Sequence, residues 1–396
     1  MGTRNKGGLI GGFDQLRAPD APTISVTAGD AQVSVAFTNP SDVGGGAISS
    51  YTATAIASGI STGATSASSP VVITGLSNGT SYSVTGLANN AFGASPYSSA
   101  TSASPALQRA LYFGGYGWSN VIDFFDITTL GNATDFGDVS YESYYSAAVG
   151  SATRILNNGG VKLSVAVYNT IEYVTASSTG NTTDFGDMTT VRADYECCNS
   201  GTRGVFGGGY TGQFSTPTNI IDYVTMASTG NAIDFGDLSA SRSQVASTSS
   251  STRGIFAGGE NGGKTNTIEY ITIASTGNVT DFGDMTGTCI RATGSSSGTR
   301  GILAGGERGG SNSNVIEYIT IASTGNATDF GDMPTTEGSA NGSASNSTRS
   351  LIYPTGYSAK VVYITIASTG NTTDFGDLTS ARSAGGMASN SNGGLQ

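Results

Sequence analysis

Carboxylates recur at a regular interval through the C-terminal three quarters of the chain. The segment Asp-Phe-Gly-Asp, or a close copy of its surroundings, occurs six times at steps of 49, 50, 47, 48 and 45 residues. Its first residue is Asp135, Asp184, Asp234, Asp281, Asp329 and Asp374. Carboxylates can hold Ca²⁺ through hard oxygen ligands, and a pair of them can act as the acid and base of a glycosidase.

The even distribution of these residues argues against both kinds of chemistry. A glycosidase needs two carboxyl groups in one cleft, and no EF-hand or related calcium spacing is present. Asp-Phe-Gly is also the magnesium motif of protein kinases, but the glycine-rich nucleotide loop and the His-Arg-Asp loop are missing. We therefore predict no catalytic residue, no metal site and no cofactor. The phenylalanine would fill a gap between copies, the glycine would allow a tight turn, and the aspartates would bind backbone N–H groups.

Composition excludes several other functions. The chain has no histidine, which removes Ser-His-Asp and Cys-His catalysis and histidine-ligated zinc. Its three cysteines cannot form a disulfide framework, and Cys197 and Cys198 are predicted to be buried small hydrophobes, with a reactive thiol as the alternative. A net charge of −11 without a basic run argues against nucleic acid and anionic membranes as partners. No apolar run approaches the roughly 20 residues of a membrane span, and Met1 to Gly12 lack a secretion signal's apolar core.

Each copy can be divided into four predicted strands. The first begins at Arg and ends in a Gly pair, as in Arg253 to Gly259, and the second contains Ile-Glu-Tyr or a variant of it. The third holds Asp-Phe-Gly-Asp, and the fourth is rich in Ser and Ala. The Arg that opens the first strand is Arg109, Arg154, Arg203, Arg253, Arg300 and Arg349. Four strands per copy and a period in the forties are typical of a β-propeller blade, so six copies predict six blades.

The two ends of the repeat array complement each other. The last copy stops after its Ser/Ala strand, at about Ser389, and the first starts at Arg109. One blade would then combine strands from both ends and leave no free edge around the ring. The prediction is an all-β chain whose propeller is closed by strands from both ends of the array.

A third acid recurs in the second strand of five copies and predicts an ion pair. It is Asp123, Glu172, Asp222, Glu269 and Glu317, and Val362 takes its place in the sixth copy. A lone buried Arg is costly, so we expect these acids to pair with the Arg that precedes each Gly pair.

Residues 19–105 contain five clear strand patterns punctuated by Pro, Gly, Asn and Asp. The patterns cover Thr23–Thr27, Gln32–Thr38, Ser50–Ala57, Val71–Thr74 and Ser81–Leu87. The segment resembles a fibronectin type III domain, an immunoglobulin-like sandwich, through Pro22, Val33, Val35, Pro40, Tyr51, Leu76-Ser-Asn-Gly-Thr-Ser-Tyr82 and Ala88-x-Asn90-x-x-Gly93-x-Ser95. The resemblance places Tyr82 at the family's tyrosine corner and Phe37 where most members have Trp.

The repeats resemble kelch-type propellers, which have a Gly pair at the end of one strand and a Tyr in the next. The pairs here are Gly114-Gly115, Gly159-Gly160, Gly208-Gly209, Gly258-Gly259 and Gly305-Gly306, and the aromatic of the motif is Phe instead of Trp. Arrays of this kind behind a fibronectin module resemble structural proteins of tailed bacteriophages. The resemblance implies three parts: an N-terminal arm (1–18), a fibronectin type III-like domain (19–105) and a six-bladed propeller (106–396). Leu9, Ile10, Phe13 and Leu16 would anchor the arm, and a disordered leader is the alternative.

The connections between strands differ in how much they vary. The Ala-Ser-Thr-Gly-Asn turn is nearly constant, whereas the connection after the Gly pair changes in every copy. Those variable loops would share one face with the Arg residues that open the fourth strands, Arg192, Arg242, Arg291 and Arg382. We predict receptor contacts there, with relaxed drift of exposed loops as the alternative. The candidate residues are Tyr116, Trp118, Tyr210, Phe214, Glu260, Lys264, Arg308 and Tyr357.

The predicted function is that of a non-enzymatic virion protein of a phage tail, tail fibre or particle surface. Its arm and sandwich would dock on other virion proteins, and its propeller would bind a host surface glycan or protein. One alternative is a decoration or cement protein of the capsid or tail without a ligand, and another is a glycan hydrolase or lyase. Neither nucleic-acid binding nor membrane insertion is expected, and homo-oligomerisation stays open.

Overall fold

The computed structural model describes residues 16–117, 119–162, 167–212, 216–334, 342–354 and 357–391. Throughout these residues the regular secondary structure is β, so the chain is all-β. Among them no helix is long and apolar enough to cross a membrane. The chain divides into two compact units, Met1–Leu107 and Gln108–Gln396. Of the predicted anchoring residues, Leu9, Ile10 and Phe13 lie outside the described residues, and Leu16 is 61% exposed.

The first unit contains eight strands in two antiparallel sheets. The strands are β1 (Thr23–Gly29), β2 (Gln32–Thr38), β3 (Ser50–Ala57), β4 (Ile60–Ser66), β5 (Val71–Thr74), β6 (Tyr82–Asn90), β7 (Gly93–Ala94) and β8 (Thr101–Ala103). One sheet has the order β1-β2-β5, and the other has the order β4-β3-β6-β7, with β8 also paired to β6.

Alternating side chains from both sheets form the hydrophobic core of this unit. Val33 and Val35 from β2 pack with Ala53 from β3 and Val84 from β6, all fully buried. Period-2 alternation puts these residues on one face of each strand, which is why the five predicted strands are confirmed. The sequence did not predict β4, because this edge strand carries no buried residue.

The second unit repeats one strand pattern six times. In chain order the strands of the first three copies are β9 (Arg109–Phe113), β10 (Val121–Asp126), β11 (Thr134–Asp138), β12 (Ser143–Tyr144), β13 (Ala147–Gly150); β14 (Arg154–Asn158), β15 (Val161–Lys162), β16 (Thr170–Thr175), β17 (Thr183–Asp187), β18 (Arg192–Ala193), β19 (Glu196–Asn199); β20 (Arg203–Gly207), β21 (Tyr210–Thr211), β22 (Thr216–Pro217), β23 (Ile220–Thr225), β24 (Ile233–Asp237) and β25 (Ala246–Ser249). Those of the last three are β26 (Arg253–Ala257), β27 (Thr267–Thr272), β28 (Thr280–Asp284), β29 (Cys289–Ile290), β30 (Thr293–Ser296); β31 (Arg300–Ala304), β32 (Glu307–Arg308), β33 (Ser311–Asn312), β34 (Val315–Thr320), β35 (Thr328–Asp332), β36 (Ser343–Ser345); β37 (Arg349–Ile352), β38 (Ser358–Thr365), β39 (Thr373–Arg382) and β40 (Gly386–Ser389).

Six antiparallel four-stranded sheets result, and each takes its first strand from the preceding copy. Their orders are β40-β9-β10-β11, β13-β14-β16-β17, β19-β20-β23-β24, β25-β26-β27-β28, β30-β31-β34-β35 and β36-β37-β38-β39. The Ser/Ala strand of one copy therefore pairs with the Arg-to-Gly strand of the next. The last copy supplies β40 to the first sheet, where Met387 faces Tyr112.

The Ser/Ala strands of successive sheets lie side by side. β13 lies beside β19, β19 beside β25, β25 beside β30, and β30 beside β36. β40 lies beside both β36 and β13, so these neighbour relations return to their starting point. Small side chains let the backbones approach closely: a Cβ on Gly294 would stand 2.0 Å from the Ser247 carbonyl oxygen. The six strands surround a cavity of about 50 Å³.

The constant Thr-Gly-Asn turn docks on the Asp-Phe-Gly-Asp segment of the preceding copy. The Gly325 N–H donates to the Phe282 carbonyl at 2.8 Å, and Asn326 Oδ1 accepts from the Asp284 N–H at 3.0 Å. A Cβ on Gly283, whose φ is +147°, would stand 2.6 Å from the Gly325 backbone. Both motifs are thus constant because each forms the other's contact surface.

The motif residues fulfil the sequence prediction only in part. The phenylalanine is about 2% exposed, as expected. The glycine adopts a left-handed φ, but it lies inside a strand, as Gly283 does opposite the bulge at Ile268, and not in the tight turn that was predicted. The aspartate was expected to bind backbone N–H groups with its side chain, but the Asn side chain of the next copy does this instead. The first aspartate of the motif is exposed in every copy.

The Arg before each Gly pair does not pair with the recurrent acid, so that prediction was wrong. In five copies its guanidinium lies over the Tyr of its own copy, as Arg253 lies 4.5 Å from the Tyr270 ring centroid, and Arg109 lies over Phe124. The same Tyr packs edge-on against the Phe of its copy, with Tyr270 and Phe282 centroids 6.1 Å apart. Arg253 Nη1 also donates to the Ile321 carbonyl of the next copy at 3.0 Å. The charge is satisfied by a π face and a carbonyl dipole, so a carboxylate is not required.

Candidate binding face

The variable loops are held by short pairings with the preceding copy. Arg192 faces Thr211, and Cys289 faces Arg308. Isolated bridges join Ser243 to Glu260 and Tyr116 to Ser383. Each pairing links the connection after a Gly pair to the residues that open a Ser/Ala segment. The loops and the starts of the fourth strands therefore lie together, and we call this surface the loop face.

Ion pairs are buried beneath the loop face. Arg192 Nη2 lies 2.8 Å from Asp222 Oδ2, with both side chains fully buried. Arg382 and Asp123 make the same contact at 2.8 Å, and Arg242 pairs with Glu269. The fourth-strand arginines were expected to be presented to solvent. Arg192, Arg242 and Arg382 are instead buried and serve as partners of the recurrent acids.

A β-bulge positions each of these acids. In five sheets the register shifts between the apolar residue and the acid that follows it, for example between Ile221 and Asp222, and in the sixth sheet it shifts between Val361 and Val362. A bulge turns a side chain away from the regular alternation. Here it leaves both the Ile and the acid buried, so the acid reaches the Arg of the preceding copy.

Within the described residues, two copies have another residue in place of the fourth-strand Arg, and a cation of the facing loop lies opposite it. Cys289 occupies the place of Arg192, and the residue opposite it, Arg308, pairs with Glu317 at 2.6 Å. Ser143 occupies the same place in the first copy, and the residue opposite it is Lys162. Burial lowers the pKa of the Lys162 amine overall, and the negative charge of Glu172 offsets part of this effect. The cation near each recurrent acid therefore comes from one of two positions. It is either the fourth-strand Arg of the preceding copy or a residue of the variable loop in the acid's own copy.

Tyrosines are concentrated on one part of the loop face, at the first two copies and the last. Tyr116 is 53% exposed and packs edge-on against Tyr144, with centroids 5.6 Å apart, and Tyr144 lies 4.9 Å from Tyr145. The ring of Tyr357, which is 66% exposed, lies 3.0 Å from the place of a Cβ on Gly117. We call Tyr116, Tyr144, Tyr145 and Tyr357 the tyrosine cluster.

A second aromatic group adjoins the same loops. Tyr141, 43% exposed, and Tyr168 have centroids 6.1 Å apart. Lys162 Nζ lies 3.3 Å from the first centroid and 4.5 Å from the second. Burial raises the pKa of Tyr168 and lowers that of Lys162, yet the ring faces stabilise the ammonium. Exposed aromatic rings beside a cation suit stacking on a sugar or packing on a protein.

The structure brings only some of the predicted contact residues together. Tyr116 and Tyr357 belong to the tyrosine cluster, and Tyr210 is half-buried in β21. Lys264 pairs with Glu307, Arg308 pairs with Glu317, and Glu260 bridges to Ser243 and Lys264. Trp118 and Phe214 lie outside the described residues.

The sequence analysis missed Tyr141, Tyr144, Tyr145 and Tyr168 as site residues. The signal was present: the segment after the first Asp-Phe-Gly-Asp reads Tyr-Glu-Ser-Tyr-Tyr, where the equivalent segments of the next three copies have no aromatic pair. Tyr141, Tyr144 and Tyr145 lie in the segment that pairs with a variable loop and not in such a loop, whereas Tyr168 is at the end of the variable loop that follows Gly160.

The central cavity contains one acid, Glu196, among small polar and apolar residues. Burial raises the pKa of Glu196 to about 8. Cys197 donates to the Ala148 carbonyl at 2.9 Å, and burial raises the pKa of both Cys197 and Cys198, which disfavours a reactive thiolate. In the part of the chain that the structure describes, no three Cys, Asp or Glu side chains are grouped so that they could hold a metal ion.

No protein-family model matches the chain, and no curated protein matches it.

Proposed function

We propose that the two units are a fibronectin type III-like sandwich and a six-bladed β-propeller. For the first unit, support comes from the Tyr82 hydroxyl, which accepts a hydrogen bond from the Ser77 N–H at 3.0 Å. A bond from a tyrosine to the backbone a few residues upstream is typical of the tyrosine corner. For the second unit, support comes from the cyclic neighbour relations of β13, β19, β25, β30, β36 and β40. Blades around a common axis require such relations.

We further propose that the protein is a non-enzymatic structural protein of a phage virion, in the tail or on the particle surface. The propeller would attach to a host surface glycan or protein through the loop face, and the first unit would dock on other virion proteins. The observation that carries the attachment function is the tyrosine cluster, because exposed aromatic rings are expensive to leave in water without a partner. Its restriction to two of the six copies, the first and the last, is a departure from the repeat that folding alone does not require.

Binding of the purified full-length chain to intact host cells tests the attachment. We expect the double substitution Tyr116→Ala and Tyr357→Ala to weaken binding at least tenfold, since aromatic anchors dominate such contacts. Tyr97→Ala, at a tyrosine 60% exposed in the first unit, is the matched control and should bind like the unchanged chain. Equal binding by the double variant would refute attachment through this cluster and leave the decoration alternative. Deletion of 1–105 is expected to abolish incorporation into particles.

One observation favours glycan hydrolysis as a second candidate. Asp194 and Glu196 both line an opening next to the central cavity, and the raised pKa of Glu196 would suit a general acid. Two carboxyl groups beside one cleft are the minimum for a glycosidase. Release of reducing sugar from host-envelope polysaccharide, lost in Glu196→Gln, would establish this activity and overturn the non-enzymatic proposal.

A further inference from the structure

A ring of strained residues surrounds one end of the central cavity. Equivalent residues of five copies have φ between 56° and 58°, although none is glycine: they are Tyr145, Asp194, Gln244, Arg291 and Ala384. Their backbones are hydrogen-bonded in sequence. The Gln244 N–H donates to Asp194 and the Arg291 N–H to Gln244, both at 2.9 Å, and Tyr145 donates to Ala384 at 2.7 Å. Left-handed non-glycine residues are strained and cluster at functional sites.

These residues line a pocket of about 50 Å³ next to the central cavity. Gln244 is 6% exposed, and its Nε2 donates to Asp194 Oδ2 at 2.9 Å. The Oε1 atom of Gln244 has no hydrogen-bond partner, and neither has Nε of Arg291. Buried polar atoms are normally satisfied, so an unpaired acceptor and an unpaired donor beside one pocket indicate a missing polar molecule.

Volume and charge restrict what that molecule can be. A water-sized group needs about 10–15 Å³ on this scale, so about 50 Å³ accepts three or four such groups. Two adjacent hydroxyls with their carbon atoms have this size. Arg291 and Asp194 carry opposite charges, and Glu196, with its pKa raised to about 8, is mostly protonated at pH 7. The pocket is close to neutral, and the chain's net charge of −11 disfavours anions.

We propose that this pocket binds the vicinal diol edge of a neutral hexose, such as a terminal residue of a surface glycan. One hydroxyl donates its proton to Gln244 Oε1, which Asp194 holds in place through Gln244 Nε2, and the other hydroxyl accepts from Arg291 Nε. Tyr145, a member of the tyrosine cluster, also lines the pocket and contacts Tyr144. The ring of Tyr144 would stack on the next sugar of the glycan. The inference rests on the proposed attachment function and assigns it a ligand class and a specificity site.

Saturation-transfer NMR of the full-length chain tests the pocket with methyl α-glucoside, methyl α-galactoside and methyl α-mannoside. We expect at least one to bind at millimolar concentration and N-acetylneuraminic acid to bind at least tenfold more weakly. Asp194→Gly removes the carboxylate while glycine accepts the left-handed backbone, so the variant should fold and lose binding at least tenfold. Ser58→Gly, at φ 48° in the first unit, is the matched control.

Each outcome decides the proposal. Binding that is lost in Asp194→Gly and in Gln244→Leu but kept in Ser58→Gly supports it. No binding of any of the three hexosides, as expected if only water fills the pocket, overturns it, and so does unchanged binding by both pocket variants. Cell binding that depends on Tyr116 and Tyr357 but not on Asp194 would refute the pocket while leaving the proposed attachment function intact.

Discussion

Arg382 and Asp123 form an ion pair of 2.8 Å across 259 residues of sequence, and both side chains are fully buried. The pair joins the last copy to the first. Two other contacts make the same connection: Asn132 Oδ1 accepts from the Asp377 N–H at 3.1 Å, and Arg349 donates to the Ile127 carbonyl at 3.1 Å. The junction between the ends therefore has the same Asn-to-backbone and Arg-to-carbonyl contacts as the internal junctions, and its ion pair repeats those of Arg192 with Asp222 and Arg242 with Glu269.

Replacing Arg382 by Met should destabilise the second unit strongly. Asp123 would keep hydrogen bonds from Thr379 but lose the buried cation with which it pairs. Removal of one partner of a buried pair typically costs about 3–5 kcal/mol. We expect that loss in urea unfolding of the full chain, with a smaller loss when Asp123→Leu is added.

The exposed pair of Lys360 and Asp374, at 3.3 Å, provides the control for this test. Lys360→Ala should change the unfolding free energy by less than about 1 kcal/mol, because exposed ion pairs contribute little. If Arg382→Met lowered the unfolding free energy no more than Lys360→Ala does, the joining of the last copy to the first would not depend on the ion pair of Arg382 with Asp123.

The strands of both units could be predicted because their signals are local. Alternation marks β2, β3 and β6, Asp-Phe-Gly-Asp marks each of the six copies, and a Gly pair marks five of them. The pairing of β40 with β9 followed from counting strands at the two ends. The sequence did not show which Arg pairs with each recurrent acid of the second strand. A repeat fixes a residue's place within its own copy but does not tell which residue of the neighbouring copy faces it.

The candidate site was predicted less well than the fold for the same reason. Tyr116 and Tyr357 were found because variable loops are visible in the sequence. Tyr144 and Tyr145 were missed, since they become neighbours of those loops only through pairings between copies such as Tyr116 with Ser383. The strained ring at Asp194 and Gln244 has no sequence signal, because a left-handed conformation without glycine depends on its surroundings.

Gly283→Ala should destabilise the contact between two copies. A Cβ there would stand 2.6 Å from the Gly325 backbone, and the φ of +147° is unfavourable for alanine. We expect a loss of at least about 2 kcal/mol, measured by urea unfolding. Gly287→Ala is the matched control, because nothing lies within 4 Å of a Cβ there and its φ is not left-handed. Equal stability of the two variants would contradict the docking role of the motif glycine.

Stability of the second unit should fall as pH rises from about 4.5 to 8. An unfolded Glu196 loses its proton near 4.5, whereas burial raises its pKa in the folded chain to about 8. The folded state therefore binds more protons than the unfolded state within this window, and the unfolding free energy declines there. Asp194 has a pKa raised by burial too and contributes in the same direction. Glu196→Gln should reduce the decline, as measured by thermal unfolding at pH 5 and pH 8, and an unchanged decline would contradict this account.

An Arg at position 289 in β29 should be able to replace Arg308 in β32 as the cation that pairs with Glu317. Arg308→Thr alone leaves Glu317 buried with hydrogen bonds from Thr286 but without a cation, and should cost about 3–5 kcal/mol. Adding Cys289→Arg recreates the arrangement of Arg192, Thr211 and Asp222 and should restore most of that loss in urea unfolding. Cys289→Arg alone places two arginines beside one acid and should destabilise. A double variant no more stable than Arg308→Thr would mean that the two cation positions are not equivalent.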